Sequence, residues 1–368
     1  MEDVKLRIRA DFPGGNIKIV SNDGSLVRLE QDLRDTTEWW FYWHFAAESD
    51  AGGEAVFEFM NGEVVGPWGP AVSKDMLHWH WLGKEDCIDR HSFRYAFRAG
   101  ETVHFAFSLP YQAADLARFL ARQDKSGAIC RLELTVSEKG RSVPLLLLGN
   151  TRAGRHIMMT CRHHACESTA SYVLEGILTA LLRDKAARFL DRYLVHVVPF
   201  VDLDGVEDGD QGKSRAPHDH NRDYTEEPIY RSTAAIISHA GRYAFTASVD
   251  LHSPYKWGER HDYTYFVKPD PPFKKEIERF ASMLAAATGR HGAGRIKYDG
   301  KHDIEMGCEW NQPDSPTFSS FFRRLGVRLP CGFEVPYFGL GDQVYTQENL
   351  RLFGEDFAQA LMEYLEGT

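Results

Sequence analysis

A histidine and a glutamate three residues apart, His164 and Glu167, follow an apolar run, His156–Thr160, that reads as a strand. Where a helix begins, that spacing lets both side chains point to one side, so an imidazole nitrogen and a carboxylate can meet on one cation. Zinc accepts such ligands, and a catalytic site keeps one position open for water. A third ligand must come from elsewhere in the fold. Val249-Asp250-Leu251-His252 offers one, a second strand ending in a histidine. Two strand ends carrying HxxE and DLH would bring all the donors to the C-terminal edge of a parallel sheet, where open α/β sheets bind ligands. Other histidines compete. His78 and His80 alternate in a His-Trp-His-Trp run, and His218 and His220 sit in a polar loop, so spacing alone does not exclude them.

That loop also holds Asn221 and Arg222. A guanidinium binds a carboxylate bidentately and an amide NH₂ adds a further bond, so the pair suits a substrate carboxylate. Near the other end Glu334 closes a late apolar strand, with Glu309 as a rival carboxylate.

The elements that must position these residues fall into two textures. Up to about residue 110 the chain reads as short, aromatic-rich strands: Ile17–Val20, Leu26–Leu29, Glu38–Ala46, Ala55–Met60, Leu77–Leu82, Ser92–Phe97 and Thr102–Leu109. This pattern suggests a β-sandwich. Beyond it, helices (Ala113–Arg122, Ser168–Arg183, Arg231–Ala240, Phe273–Ala286, Asn349–Leu365) alternate with strands (Leu132–Val136, Pro144–Leu148, His156–Thr160, Leu194–Val201, Ala244–Leu251). Such alternation implies a sheet covered on both faces. The expected domains are 1–110 and 111–368.

The chain's 368 residues, 43% of them hydrophobic, can bury the cores of two such domains. Asp and Glu number 53 against 43 Lys and Arg, a net charge of -10, which argues against nucleic acid or an anionic membrane as the main partner. Met1–Lys5 has mixed charge with no apolar run behind it, so no signal peptide is expected, and no apolar run is long enough to span a bilayer. The six cysteines show no CxxC spacing and read as reduced thiols of a cytoplasmic protein.

Taken in order, several segments resemble the carboxypeptidase A-like zinc carboxypeptidases, most closely the cytosolic carboxypeptidase branch. They are Trp40-Phe41-Tyr42, Phe105–Tyr111, Arg162–Ser168, Asp204-Gly205-Val206, Asp219–Arg222, Asp250–His252 and Gly332–Tyr337. The resemblance implies an α/β protein: an N-terminal antiparallel β-sandwich, then an α/β/α catalytic domain on a mixed, mainly parallel sheet. It implies one zinc ion held by His164, Glu167 and His252, with Asp219 orienting a zinc histidine. Asn221 and Arg222 would grip the terminal carboxylate, and Glu334 would be the general base. Two departures stand out. The family's oxyanion arginine aligns with Gly212, leaving Lys213 and Arg215 as displaced substitutes, of which Arg215 is preferred here. The lid tyrosine has no counterpart in Thr317–Arg324.

The expected function is therefore a cytoplasmic zinc metallocarboxypeptidase, a hydrolase cleaving a C-terminal peptide or isopeptide bond. Arg323 and Arg324 lie near the expected specificity pocket and could favour acidic C-termini, or they are ordinary surface arginines. The competing readings are a zinc deacylase of N-acyl amino acids and an inactive module that binds C-terminal tails.

Overall fold

The computed structural model describes residues 6–36, 40–124, 127–341 and 343–367. Its first nine strands are β1 (Leu6–Arg9), β2 (Lys18–Asn22), β3 (Leu26–Glu30), β4 (His44–Ser49), β5 (Gly53–Phe59), β6 (Ala71–Ser73), β7 (His80–Trp81), β8 (Ser92–Phe97) and β9 (Glu101–Ala106). They form two sheets, ordered β1-β4-β9-β6-β7 and β2-β3-β5-β8. All pairings are antiparallel except β3 with β5, which run parallel from Leu26↔Val56 to Leu29↔Phe59. Alternation sends one set of side chains from each sheet inward, and aromatic rings fill the gap. Phe57 lies 5.3 Å, ring to ring, from both Phe45 and Phe105 of the opposite sheet.

Two expected strands shrink for local reasons. Within Glu38–Ala46, residues 38 and 39 lie outside the described residues, and β4 starts only at His44. The buried Trp40–Trp43 stretch takes another partner: Gln211 Oε1 accepts the N–H of Phe41 at 2.7 Å and of Tyr42 at 3.3 Å. Leu77–Leu82 narrows to β7 because the Asp75 carboxylate accepts the N–H groups of Leu77 and His78 at 2.8 Å and turns the chain.

The remainder comprises α1 (Ala113–Gln123), β10 (Ile129–Val136), β11 (Ser142–Gly149), β12 (Arg155–Cys161), α2 (Ser168–Leu181), α3 (Ala187–Leu190), β13 (Tyr193–Val198) and α4 (Leu203–Asp208). After these come α5 (Arg231–Ala240), β14 (Phe245–His252), β15 (Tyr265–Val267), α6 (Phe273–Gly289), α7 (Phe318–Arg324), β16 (Leu329–Glu334) and α8 (Gln347–Glu366). Their sheet runs β10-β11-β13-β12-β14-β16-β15. Its centre, β13-β12-β14-β16, is parallel, and both flanks are antiparallel, so the sheet is mixed with a parallel core.

Period-2 alternation splits the strands' side chains between two helical layers. Ile157 and Met159 of β12 pack with Ile177 of α2 and Leu361 of α8. On the other face Phe245 meets Phe322 of α7 at 5.6 Å, and His196 reaches His239 of α5 at 2.9 Å. Helices α2 and α8 cross where Gly176 meets Gly354. A Cβ on Gly176 would run into the Arg351 carbonyl oxygen, and one on Gly354 into that of Val173. Among the described residues no helix is long and apolar enough to cross a membrane.

Candidate active site

Three adjacent strands deliver their ends to one edge of the sheet. β12 runs into the turn carrying His164 and Glu167, β14 ends on His252 and β16 on Glu334; His252 and Glu334 are register partners. The turn after β12 bends sharply at Arg162, whose φ of 62° is left-handed and costly for a residue with a side chain. The buried Arg162 guanidinium holds the turn by donating to the carbonyls of Tyr111 (2.8 Å) and Ala165 (3.0 Å) and to Ser171 Oγ (3.2 Å).

His164 Nδ1 lies 2.8 Å from Glu167 Oε1, and His252 Nδ1 lies 2.9 Å from Glu167 Oε2. One donor atom from each of the three residues lies within 4.8 Å of the others. Two imidazole nitrogens and a carboxylate oxygen so placed are a donor set that suits zinc, so these residues fit the metal the sequence implies. Carboxylates stand behind both rings: Asp219 Oδ1 is 3.4 Å from His164 Nε2, and Asp250 Oδ2 is 2.6 Å from His252 Nε2. Burial works against the charge of Glu167, but Lys213, His164 and His252 together hold its carboxyl well below the usual range.

Glu334 has the opposite environment. It is 5% exposed, and its Oε2 has no hydrogen-bond partner. Burial pushes its carboxyl up to about 7, with His252 opposing and Glu167 adding to the rise. A buried carboxylate so poised can accept and return a proton near neutrality.

A cavity of about 290 Å³ opens onto these groups, with Lys213, Asn221, Arg222, Trp310 and Arg323 on its wall. Asn221 is fixed by accepting the Phe318 N–H at 3.0 Å. The Arg222 guanidinium donates to the Asn221 carbonyl at 3.2 Å, its one hydrogen bond among the described residues. The Arg323 carbonyl accepts the Gly326 N–H at 2.9 Å, while its guanidinium makes no hydrogen bond or ion pair among the described residues. Arg324 donates to the Tyr224 carbonyl at 3.0 Å and Ser320 Oγ at 3.3 Å and is absent from the wall.

The expected oxyanion arginine is corrected. Arg215 is not on the cavity wall; its Nε donates to Asp35 at 2.7 Å, and Nη2 lies 3.0 Å from Asp202 and 3.3 Å from Asp210. Lys213 reaches the site instead, its Nζ donating to Glu167 Oε1 at 2.6 Å and to the Ser253 carbonyl at 2.7 Å. Gly212 cannot host the aligned arginine, because its φ is +81° and a side chain there would strike the Ala165 backbone nitrogen. The competing histidines are engaged elsewhere: His218 with Asp223 (2.7 Å), His78 with Asp75 (2.7 Å), and His220 stacked on Tyr230 at 3.7 Å. Glu309 pairs with Arg260 at 3.1 Å, off the cavity wall.

Residues two apart on a strand share a face, so the Asp-Leu-His motif itself places Asp250 beside His252. His163 lies inside the Arg162–Ser168 segment, where no spacing signal gives it a role of its own. No pattern distinguished Lys213 from Arg215.

The Arg215 cluster carries a stability signature. Burial and the neighbouring Asp35 carboxylate push Asp210 up to about 7, against an ordinary 3.8. The folded chain thus holds this proton more tightly than the unfolded chain. The stability linked to it is complete below 3.8 and is lost as pH rises through about 7. Asp210→Asn should raise the melting temperature at pH 8, with the gain fading toward pH 4. Thermal melts showing the same gain at both pH values would refute this assignment.

Residues 119–226 match the zinc carboxypeptidase family model, a span that holds His164, Glu167, Asn221 and Arg222. An uncharacterized protein of Zymomonas mobilis is 26% identical over 258 residues, 67% of each chain. Cytosolic carboxypeptidase 6 of Caenorhabditis elegans is 25% identical over 247 residues, 59% of this chain, which spans about half (54%) of the nematode protein. The crystal structure of a metallo-carboxypeptidase from Burkholderia cenocepacia superposes with a TM-score of 0.82 at 19% identity, covering 99% of this chain and 100% of that one, a likeness of fold. The match over residues 119–226, the named relatives and the likeness of fold all make zinc carboxypeptidases what this chain is similar to.

Proposed function

We propose that this chain is a zinc-dependent metallocarboxypeptidase hydrolysing a C-terminal peptide or isopeptide bond. The observation that carries the reading is the convergence of His164, Glu167 and His252 beside the partnerless Oε2 of Glu334. His164, Glu167 and His252 would hold one zinc ion, which when bound supplies a Lewis acid that polarises a carbonyl and acidifies water. The chain's own residues do the rest. Arg222 and Asn221 bind the substrate's terminal carboxylate at the cavity wall. Glu334 Oε2 takes a proton from the attacking water and hands it to the leaving amine. Lys213, the cation bonded to Glu167, steadies the developing oxyanion in place of an arginine, while Arg215 braces the loop that carries it. Asp219 fixes the ring of His164. Residues 1–110 form the sandwich unit and 111–368 the catalytic one. Free cysteines and relatives named as cytosolic support a cytoplasmic location.

An acidic C-terminal side chain suits the pocket, because Arg323 brings a guanidinium without a carboxylate partner to the cavity wall. The test is metal analysis followed by amino-acid release from peptides ending in Glu, Asp, Leu or Lys, with and without chelator. One zinc per chain and chelator-sensitive release favouring acidic ends are expected. Arg323→Ala should lower kcat/KM on the Glu-ended peptide by about tenfold and leave the Leu-ended peptide nearly unchanged. Cleavage of N-acyl amino acids alone would establish the deacylase, and zinc without any hydrolysis would establish a binding module.

A further inference from the structure

The cation-binding edge is backed by a buried polar chain that the reaction above does not use. Asp250, 1% exposed, ends no helix and faces no solvent. Its carboxylate is shared three ways: Oδ2 with His252 Nε2 at 2.6 Å, and Oδ1 with Thr160 Oγ1 at 2.8 Å and His163 Nδ1 at 2.8 Å. The His163 approach is bent and poorly aligned for a straight hydrogen bond. The other nitrogen of His163, itself fully buried, lies 2.7 Å from Tyr224 Oη. Tyr224 packs on Phe318 and Phe321 of α7 at 5.6 and 5.7 Å, and its carbonyl accepts from Arg324.

The proton positions in this chain follow from what each end can do. When a cation is held between His252 Nδ1 and Glu167, the Nδ1 lone pair would go to the ion, which leaves the Nε2–H of His252 to donate to Asp250. Tyr224 Oη has a single proton to give and gives it to His163 Nε2, which leaves the N–H of His163 on Nδ1, facing Asp250. Every group then has one consistent role, with one buried carboxylate collecting two imidazole N–H groups and a hydroxyl. An isolated buried carboxylate would be costly, whereas one with three donors is rigid.

We propose that Asp250 is a positioning residue that fixes the tautomer and ring plane of His252 for metal binding, and that His163 and Tyr224 hold Asp250 in place and tie it to α7, the helix that carries Arg323. This rests on the zinc reading above and adds residues to it. The His163, Asp250 and His252 donors also lie within 4.8 Å of one another, so a second ion is the competing explanation of the same cluster. The contacts just described pair His252 Nε2 with Asp250 and His163 Nε2 with Tyr224, and leave only His163 Nδ1, 2.8 Å from Asp250, without a well-aligned bond.

The experiment is zinc affinity by chelator competition on the full chain, alongside visible spectra of the cobalt(II)-substituted protein. The variants are Asp250→Asn, His163→Gln and, as a reference for the ligands, His164→Ala. Asp250→Asn should bind zinc about 10- to 100-fold more weakly and shift the cobalt bands. His163→Gln, which keeps the carboxylate should the first variant not fold, should move both readouts in the same direction by less. Far-UV circular dichroism and melting curves check that the fold is retained. Zinc affinity within twofold of wild type in both folded variants, with unshifted cobalt bands, would overturn the positioning role while leaving the zinc site standing. Two zinc ions per wild-type chain would overturn it in favour of coordination. No zinc bound by wild type, or His164→Ala binding as wild type does, would defeat the underlying metal reading instead.

Discussion

Replacing Glu334 with glutamine should lower kcat by about 10²- to 10⁴-fold while zinc remains bound and KM changes little. Glutamine keeps the size of the side chain but cannot take up a proton. Glu334 stands outside the group of three donors, one strand away from His252, so its loss should not loosen the metal. Zinc content by atomic absorption, together with initial rates on the best peptide of the panel, decides the matter. Turnover within a few-fold of wild type would remove Glu334 from the proton path, and loss of zinc would make it a ligand.

The second large effect concerns the fold. Gly354→Ala should destabilise the chain by on the order of 3 kcal/mol, read as a drop in the urea midpoint. The added methyl meets the Val173 carbonyl oxygen across the α2–α8 crossing, so two packed helices must separate to admit it. Gly289, the last residue of α6, is the control. Nothing lies within 4 Å of a Cβ built there, so alanine at that site should stabilise slightly through the unfolded chain. If both substitutions shift the midpoint equally, the close approach of α2 and α8 does not limit stability.

Much of this architecture could be read before any coordinates. Helices α1, α5, α6 and α8 announce themselves because each needs an apolar stripe on one side only. Strand β12 is legible as the apolar run Ile157–Met159, and β14 as an alternation in which Phe245, Ala247, Val249 and Leu251 are interleaved with Thr246, Ser248 and Asp250. The short β1, β6 and β15, three or four residues each, carry too few residues to show a period. The aromatic run at Trp40–Trp43 misleads for a different reason: its backbone donors go to the Gln211 side chain, a partner about 170 positions away that local pattern cannot reveal. Within the site, the histidines and acids at strand ends were visible because strand ends are where a parallel core exposes its edge. The choice between Lys213 and Arg215 was not visible. It depends on the path of a loop that turns through a left-handed glycine and on carboxylates arriving from Asp35, far earlier in the chain.

The bracing of that loop has an evolutionary consequence. Asp35 accepts from the Gly212 N–H and from Arg215, Thr36 donates to the Ser214 carbonyl, and Gln211 receives Phe41 and Tyr42. The strand-rich first part of the chain therefore supplies the scaffolding for Lys213 on the wall of the candidate site. A chain recombined without that first part would inherit a loop whose supports at Asp35, Thr36, Phe41 and Tyr42 had stayed behind. The two halves should accordingly descend as one heritable unit, and an attempt to graft the later half alone onto another carrier would transmit the ligands without the geometry of Lys213.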